Sequence, residues 1–296
     1  EKIGPRTLAT EVYAKRKSEV KEGIYFPKKR KRVALFREVA QDFLVYSRAN
    51  KRSAHHDEQR MGYWLEVFGD KAADAITPQD IERHKEALAQ DHAPGTVNRY
   101  LAVIKTTFSL AVRKEKVDKN PVKAVKLFTE NNQRIRYLSL EEETKLMAAL
   151  PSYFRPLATL ALHTGLRRGE LLSLQWPDIN SETKTVTVRR SKHGEARHVP
   201  LNKVAYETLA ALKRDRKVLA PCVFTREDGT PFSHRFGHIW VAAVNRAGID
   251  DLHFHDLRHT FASRLAMMGT PLRTIQELLG HKTIAMTLRY SHLSPA

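Results

Sequence analysis

The stretch Leu279-Gly280-His281-Lys282-Thr283-Ile284-Ala285-Met286-Thr287-Leu288-Arg289-Tyr290-Ser291-His292 sets a histidine directly after a glycine and a tyrosine nine residues later. Upstream stands His255-Asp256-Leu257-Arg258-His259-Thr260-Phe261-Ala262, and further back Thr164-Gly165-Leu166-Arg167-Arg168-Gly169-Glu170-Leu171-Leu172-Ser173-Leu174. A tyrosine hydroxyl is a weak nucleophile until neighbouring cations or a base favour its phenolate. Forked, permanently charged guanidinium groups donate paired hydrogen bonds to phosphate oxygens. Tyrosine, arginines and histidines in these three segments therefore supply the parts needed to attack a phosphodiester.

Working outward, the charge balance points the same way. The chain has 296 residues and a formal net charge of +18. So basic a protein most often meets a polyanion, and nucleic acid is the commonest. The charge is uneven: residues 1–32 hold eleven Lys/Arg against four acids, residues 33–130 sixteen against fourteen, and residues 131–296 twenty-four against fifteen. The densest patch is Lys28-Lys29-Arg30-Lys31-Arg32, readable as a solvated hinge, as a linker that tracks phosphates, or as a nuclear-localisation signal. No apolar run approaches the ~18 residues of a membrane span, so no membrane partner is expected. The single cysteine, Cys222, excludes an internal disulfide and fits a reducing, cytoplasmic setting.

The periodicities predict a mainly α chain in two domains behind an N-terminal segment. Residues 1–32 read as a helix over about Thr7–Glu22 and a basic connector. Residues 33–130 read as a four-helix domain. Its first helix, Val33–Arg48, carries Leu35, Val39, Phe43 and Tyr46 on one face. A second runs over about Asp57–Phe68 to Gly69-Asp70, and Thr77-Pro78-Gln79-Asp80 is a start signal for a third. Pro94-Gly95-Thr96 opens a long helix striped by Val97, Tyr100, Leu101, Ile104, Phe108 and Ala111, which Asn120-Pro121 should stop. Arg99, Lys105, Arg113 and Lys114 are candidate phosphate contacts on it, equally readable as solvated charges. A polar linker, Thr129–Gln133, then leads into residues 131–296.

This last region reads as mixed α/β with one small antiparallel sheet. Ser139-Leu140-Glu141-Glu142 is a capping box, and helices are expected at about 140–149 and 155–163. After the Trp176-Pro177-Asp178 turn, Thr183–Val188 alternates like a strand and Arg197-His198-Val199-Pro200 can return as its partner. Helices follow near 203–216, 234–247, 256–268, 272–279 and 283–290.

Taken together, the segments at 164–174, 191–201 (SKHGEARHVPL), 255–262 and 279–292 resemble the catalytic domain of the tyrosine recombinase (phage integrase) family. The likeness covers most of 131–296; the helical domain before it is similar to the family's core-binding domain in architecture more than in motif. The resemblance implies a C-shaped clamp on a double-stranded DNA recombination site and a homo-tetramer exchanging strands through a four-way junction. It also implies an activity of cutting and rejoining DNA through a 3′-phosphotyrosine with a free 5′-hydroxyl, in a bacterial or phage-host cell. No cofactor is implied, neither metal nor ATP, and no P-loop is present. Accessory DNA-bending or directionality proteins are further partners of such enzymes. Bivalent integrases carry an arm-binding domain before a basic connector and a docking segment after the tyrosine, so both are expected beyond the residues given. A mobile-element role follows from that expectation.

The chemistry assigns roles. Arg167 and Arg258 are the phosphate-binding pair; the family pattern, with an acid three residues on, selects Arg167 and Glu170 over Arg168. Tyr290 is the nucleophile, on a short helix expected to begin near Thr283. By family match Lys192, where the two strands should turn, protonates the departing 5′-oxygen. His255, three residues from Arg258, is a proton acceptor or phosphate hydrogen-bonder, and His281 a donor to a nonbridging oxygen. Glu170 orients a cation.

Other readings stay open at this level. His253, His255 and His259, or Asp250, Asp251 and Asp256, are residue types that hold metals, although no glutamate follows the first histidine as in a metalloprotease. A type IB topoisomerase uses nearly the same side chains, and a DNA-binding protein without catalysis is a third reading.

Overall fold

Local signals fix the helix boundaries of this chain. In the computed structural model, residues 5–21, 33–131, 134–189, 196–215, 220–226, 230–232 and 236–295 are described. The chain divides into two compact units, Glu1–Asn131 and Asn132–Ala296.

The first unit is all helical. α1 (Arg6–Lys21) buries no residue. α2 (Phe36–Asn50), α3 (Ala54–Phe68), α4 (Pro78–Asp91) and α5 (Pro94–Arg113) form the bundle. α4 starts at a full capping box: the Asp80 amide donates to Thr77 Oγ1 at 3.1 Å, and the Thr77 amide to Asp80 Oδ2 at 2.9 Å. Such a cap contributes about 1 kcal/mol.

α2 corrects the expected face. The helix begins at Phe36, and its buried stripe is Phe36, Val39, Ala40, Phe43, Leu44 and Ser47. Leu35 is the residue before the helix and Tyr46 is exposed. Ser47 belongs to the buried side because its hydroxyl donates to Asp57 Oδ2 on α3, which also accepts from Lys51 Nζ, both at 2.7 Å. That pairing also explains why α3 starts three residues before the expected Asp57.

α5 buries Val97, Leu101, Ile104, Phe108 and Ala111. Tyr100 lies at the stripe's edge, its carbonyl accepting the Trp64 indole N–H at 3.0 Å. The helix stops at Arg113 rather than at Asn120-Pro121. Glu115 turns left-handed at φ 56°, and the Lys116 amide closes onto the Ala111 carbonyl at 2.9 Å, a Schellman-type ending without glycine. Pro121 instead opens a single 3₁₀ turn capped by Asn120. Phe36, Phe43, Met61, Trp64, Leu101 and Phe108 are fully buried, each apolar side chain contributing about 1.5–3 kcal/mol.

The second unit is mainly helical with one small sheet. α6 (Leu140–Ala149) starts at the Ser139/Glu142 capping box, and α7 (Arg155–Thr164) and a short α8 (Arg168–Leu172) follow. β1 (Ile179–Asn180), β2 (Thr185–Val188) and β3 (Arg197–Pro200) form an antiparallel sheet in that order, with Val186 opposite Val199 and Val188 opposite Arg197. β2 begins two residues after the expected Thr183. There Asn180 Oδ1 takes the amides of Glu182 and Thr183, both at 2.9 Å, and Lys184 turns left-handed. β1 and α8 were too short to leave a periodicity. α9 (Lys203–Arg214), α10 (Gly237–Arg246), α11 (Asp256–Met267), α12 (Leu272–Leu279) and α13 (Ala285–Leu288) complete the unit.

α7 is the central helix of this unit, packed against both α9 and α11. One core joins it to Val186, Val199 and Leu257, and to a knot of aromatic rings, Phe154, Phe236, Trp240 and Phe254. A smaller cluster gathers Ala262 and Ala266 of α11, Ile275 and Leu279 of α12, and Tyr290. Tyr290 does not stand on a helix running from Thr283. α13 is one turn long, and the tyrosine follows it, leading into the 3₁₀ turn Ser291–Leu293. Among the described residues, no helix is long and apolar enough to cross a membrane.

Candidate active site

Two left-handed glycines aim backbone carbonyls at one place. Gly165 ends α7 at φ 62°, where a Cβ would lie 2.4 Å from Phe261 Cδ1. Gly280 ends α12 at φ 62°, where a Cβ would lie 2.9 Å from the Arg197 guanidinium. Only glycine adopts these turns without strain or clash.

The exit of α12 presents three successive carbonyls, and each takes one arginine. Arg197 Nε donates to Leu278 O at 3.0 Å, Arg258 Nη2 to Leu279 O at 2.6 Å, and Arg167 Nη2 to Gly280 O at 2.8 Å. Arg258 Nη1 also reaches Gly165 O at 2.7 Å. A helix C-terminus carries partial negative charge, which makes it a natural seat for cations. Arg167 and Arg258, 91 residues apart in sequence, are thereby fixed on one rigid edge.

Glu170 locks this arrangement. Arg197 forks onto both its oxygens, at 3.0 and 2.7 Å. The Arg167 amide donates to Oε2 at 2.8 Å and its Nη1 to Oε1 at 3.0 Å. Burial alone would raise the Glu170 pKa; Arg197 and then Arg167 bring it net below the usual carboxylate value. Against this one carboxylate stand three guanidiniums. Burial, with Arg167 and Arg197 repelling it, takes Arg258 down to about 9, so it stays charged at neutral pH in a site with surplus positive charge. An incoming anion would relieve that surplus.

The histidines line the same place. His281 Nδ1 meets Thr287 Oγ1 at 2.9 Å, and burial with Arg258 and Arg167 pushes its pKa down to about 3. A Thr287 hydroxyl that donates to Nδ1 leaves the proton on Nε2, where it can be given to an acceptor. His255 caps the start of α11, exposed on its outer side, and its pKa is lowered by burial and by Arg258. Tyr290 is 1% exposed. Burial raises its pKa against the pull of Arg258 and Arg289. Its hydroxyl lies 2.6 Å from His259 Nδ1.

The structure thus brings together Arg167, Glu170, His255, Arg258, His281 and Tyr290. Arg168 departs from Arg167, its guanidinium lying 5.9 Å from the centre of the Phe236 ring. Lys192, and the run Lys28, Lys29, Arg30, Lys31 and Arg32, lie outside the described residues. Arg99, Lys105, Arg113 and Lys114 occupy the polar side or end of α5, and two are already paired within the first unit: Lys114 with Asp42 at 3.1 Å and Arg99 with Glu130 at 3.9 Å. Nothing in that unit separates them from ordinary solvated charges.

Two residues were given no catalytic role in the sequence: Arg197, read there only as part of a returning strand, and His259, read there only as a residue type that holds metals. Among the described residues, no group of three or more His, Cys, Asp or Glu is arranged to hold a metal ion. Asp251 and Asp256 are instead engaged by Arg134, at 2.9 and 3.2 Å.

The chain is similar to known proteins in sequence and in fold. The model of the phage integrase family fits residues 136–296, more than half of the chain. The chain belongs to that family. It is 31% identical to the integrase of Salmonella phage P22 over 290 residues, 84% of this chain and 74% of that protein. It is 30% identical to a XerC-like tyrosine recombinase of Caldanaerobacter subterraneus over 276 residues, 78% of this chain and 70% of that one. In fold, this integrase-family chain is similar to lambda integrase solved as a tetramer bound to a Holliday junction, with TM-score 0.76, 20% identity, and 97% and 87% of the two chains covered. It is also similar to the Tn1549 transposon integrase in complex with transposon right-end DNA, with TM-score 0.75, 20% identity, and 87% and 94% covered.

Proposed function

We propose that this protein is a site-specific tyrosine recombinase that cuts one DNA strand with Tyr290, holds it as a 3′-phosphotyrosine, and rejoins it to a new partner. The observation that carries the reading is the convergence of Arg167, Arg258, His281 and Tyr290 on the end of α12, in a surplus of positive charge. Arg167 and Arg258 take the nonbridging oxygens of the scissile phosphate, His281 donates a third hydrogen bond, and His255 adds another from the rim. Glu170 holds Arg167. Lys192 protonates the departing 5′-oxygen. Losing one such preorganised donor costs about 10²–10³ in rate.

Arg167 and Arg258 supply the charge stabilisation that a Lewis-acid metal would otherwise give, and the phosphotyrosine conserves the bond energy that ATP would otherwise supply. Metal- and ATP-independent strand transfer is therefore our reading. Residues 33–130 serve as the core DNA-binding domain, with the basic run 28–32 before it tracking phosphates, and residues 131–296 as the catalytic domain. The substrate is a double-stranded recombination site on a mobile element, bound by a homo-tetramer, with accessory DNA-bending or directionality proteins as further partners. The P22 integrase likeness supports the mobile-element role.

The test is covalent capture from a random duplex library of nicked, strand-releasing substrates, in chelator. Adducts that survive SDS, map to Tyr290 and vanish in Tyr290→Phe are the expected result, and their sequences define the half-site. Exchange between two duplexes bearing that half-site then separates recombination from relaxation of one duplex. Chain that binds DNA but leaves no adduct would overturn the reading.

A further inference from the structure

We infer that His259 is the proton acceptor of the nucleophile: its Nδ1 takes the Tyr290 hydroxyl proton as the phenol attacks the scissile phosphate. The inference rests on the recombinase reading above and adds a catalytic residue to it. The 2.6 Å contact between His259 Nδ1 and Tyr290 Oη is the shortest polar contact that the tyrosine makes. The two rings are packed together, with centroids 5.9 Å apart. On its other side the His259 ring meets His255 edge to face, centroids 5.2 Å apart. His255, exposed at the rim, has no such contact with the tyrosine; of the two, His259 is placed for the proton and His255 for the phosphate.

The surroundings keep that lone pair available. His259 faces His255, Asp256 and Arg258 on or beside its own helix, Arg289 and Tyr290 from the tyrosine segment, and His281 from the turn after α12. Burial, then His255, Arg289 and Arg258, outweigh Asp256 and hold the ring neutral at physiological pH. With the phenol O–H donating to Nδ1, the neutral ring carries its own proton on Nε2 and accepts at Nδ1. Burial and the nearby Arg289 and Arg258 make it a weak base. A phosphate bound at Arg258 offsets that guanidinium's repulsion and raises its basicity at the moment of attack.

The step balances. The Oη–H bond breaks and its proton moves to His259 Nδ1, while the oxygen's electron pair forms the Oη–P bond. The P–O5′ bond breaks, its electrons go to O5′, and O5′ takes a proton from the general acid assigned to Lys192. On rejoining, the imidazolium returns the proton to the departing tyrosine.

The experiment uses the full chain and the half-site recovered by covalent capture. His259→Gln keeps a hydrogen-bond acceptor of similar size but cannot take the proton. Single-turnover cleavage is expected to fall about 10²–10⁴-fold, the range of general acid–base catalysis. DNA binding and the melting temperature should stay near wild type. The variant's rate should climb about tenfold per pH unit with no plateau below pH 10, as attack waits on spontaneous ionisation of the phenol; the wild type should plateau. A 5′-bridging phosphorothiolate, whose sulfur leaves without a proton, should rescue Lys192→Ala and leave His259→Gln slow. Nitrogen-15 shifts of the free protein should place the His259 proton on Nε2.

Cleavage by His259→Gln within threefold of wild type, rescue by the phosphorothiolate, or a proton found on Nδ1 would each overturn the assignment. Absence of any Tyr290 adduct in the wild type would refute the recombinase reading instead, a failure to which the nitrogen-15 measurement is blind.

Discussion

Replacing Arg197 by methionine tests whether the α12 edge is held together from outside the reacting groups. Arg197 touches Glu170 twice and Leu278 O once, and the side chains of Arg197 and Glu170 are 11% and 8% exposed. Methionine fills much of the volume but removes the charge. It leaves Glu170 buried with Arg167 as its remaining guanidinium and frees one carbonyl at the end of α12. Breaking a buried pair from one side costs about 3–5 kcal/mol, because the stranded charge stays desolvated. At about 2–4 °C per kcal/mol for a domain of this size, Arg197→Met should lower the melting temperature by roughly 6–20 °C.

The sign with pH is also fixed. Glu170 is depressed in the folded protein, so its stabilisation is present above its ordinary value of 4.5 and lost as pH falls through the lower folded value. In Arg197→Met the largest offset to burial is gone and the folded carboxyl titrates higher than in wild type; protonation then relieves the stranded charge, so the stability deficit against wild type should shrink as pH falls from 8 to 4. The double variant Arg197→Met, Glu170→Leu removes the stranded carboxylate and should regain part of the stability. It should not regain cleavage, because Arg167 has lost the carboxylate that aims it. The assay is thermal melting from pH 4 to 8 beside single-turnover cleavage. A single variant within 1 kcal/mol of wild type, or a double variant with restored cleavage, would refute the argument.

Four further outcomes are expected. Gly280→Ala forces a left-handed alanine against the Arg197 guanidinium and should cost more than about 1 kcal/mol in denaturant unfolding, with reduced cleavage. Tyr290→Phe should abolish the adduct while retaining DNA binding, and lose only the about 0.5–1.5 kcal/mol of one hydrogen bond in a melting experiment. His259 and His281 are held at about 4 and about 3, so between those values and 6.5 the unfolded chain binds protons the folded one does not. Stability should therefore fall as pH drops from 6.5 towards 4, with a shallower slope in His281→Gln. Affinity for duplex DNA, measured by fluorescence anisotropy, should fall steeply with salt if binding is largely phosphate neutralisation.

What the sequence made legible was local. Thr77-Pro78-Gln79-Asp80 and Ser139-Leu140-Glu141-Glu142 could be read because both ends of each capping box lie within four residues. The stripe on α5 survives because five of its members keep strict helical spacing. The end of α5 was hidden, since Glu115 turns left-handed without a glycine to announce it. The phase of α2 was hidden because a serine, Ser47, belongs to its buried face through an aspartate on the next helix. At the site, the family resemblance carried by the quoted segments implied Arg167, Arg258, His281 and Tyr290. Arg197 stayed invisible, since its partners Glu170 and Leu278 lie 27 and 81 residues away.

His259 shows how one spacing can serve two chemistries. Its separation of four from His255 is the spacing of two metal ligands on one helix face, and the rings do lie side by side. What decides their use is the third group, and the tyrosine segment supplies it from 31 residues away. Its Tyr290 ring belongs to the small core of α11 and α12, so the packing that stabilises this end of the fold also places the hydroxyl on His259. Gly165 and Gly280 do the same for Arg258, since the turns that end α7 and α12 bring the carbonyls that hold it. A substitution that loosens this small core should therefore lower melting temperature and cleavage together, whereas one that removes only a reacting group should lower cleavage alone.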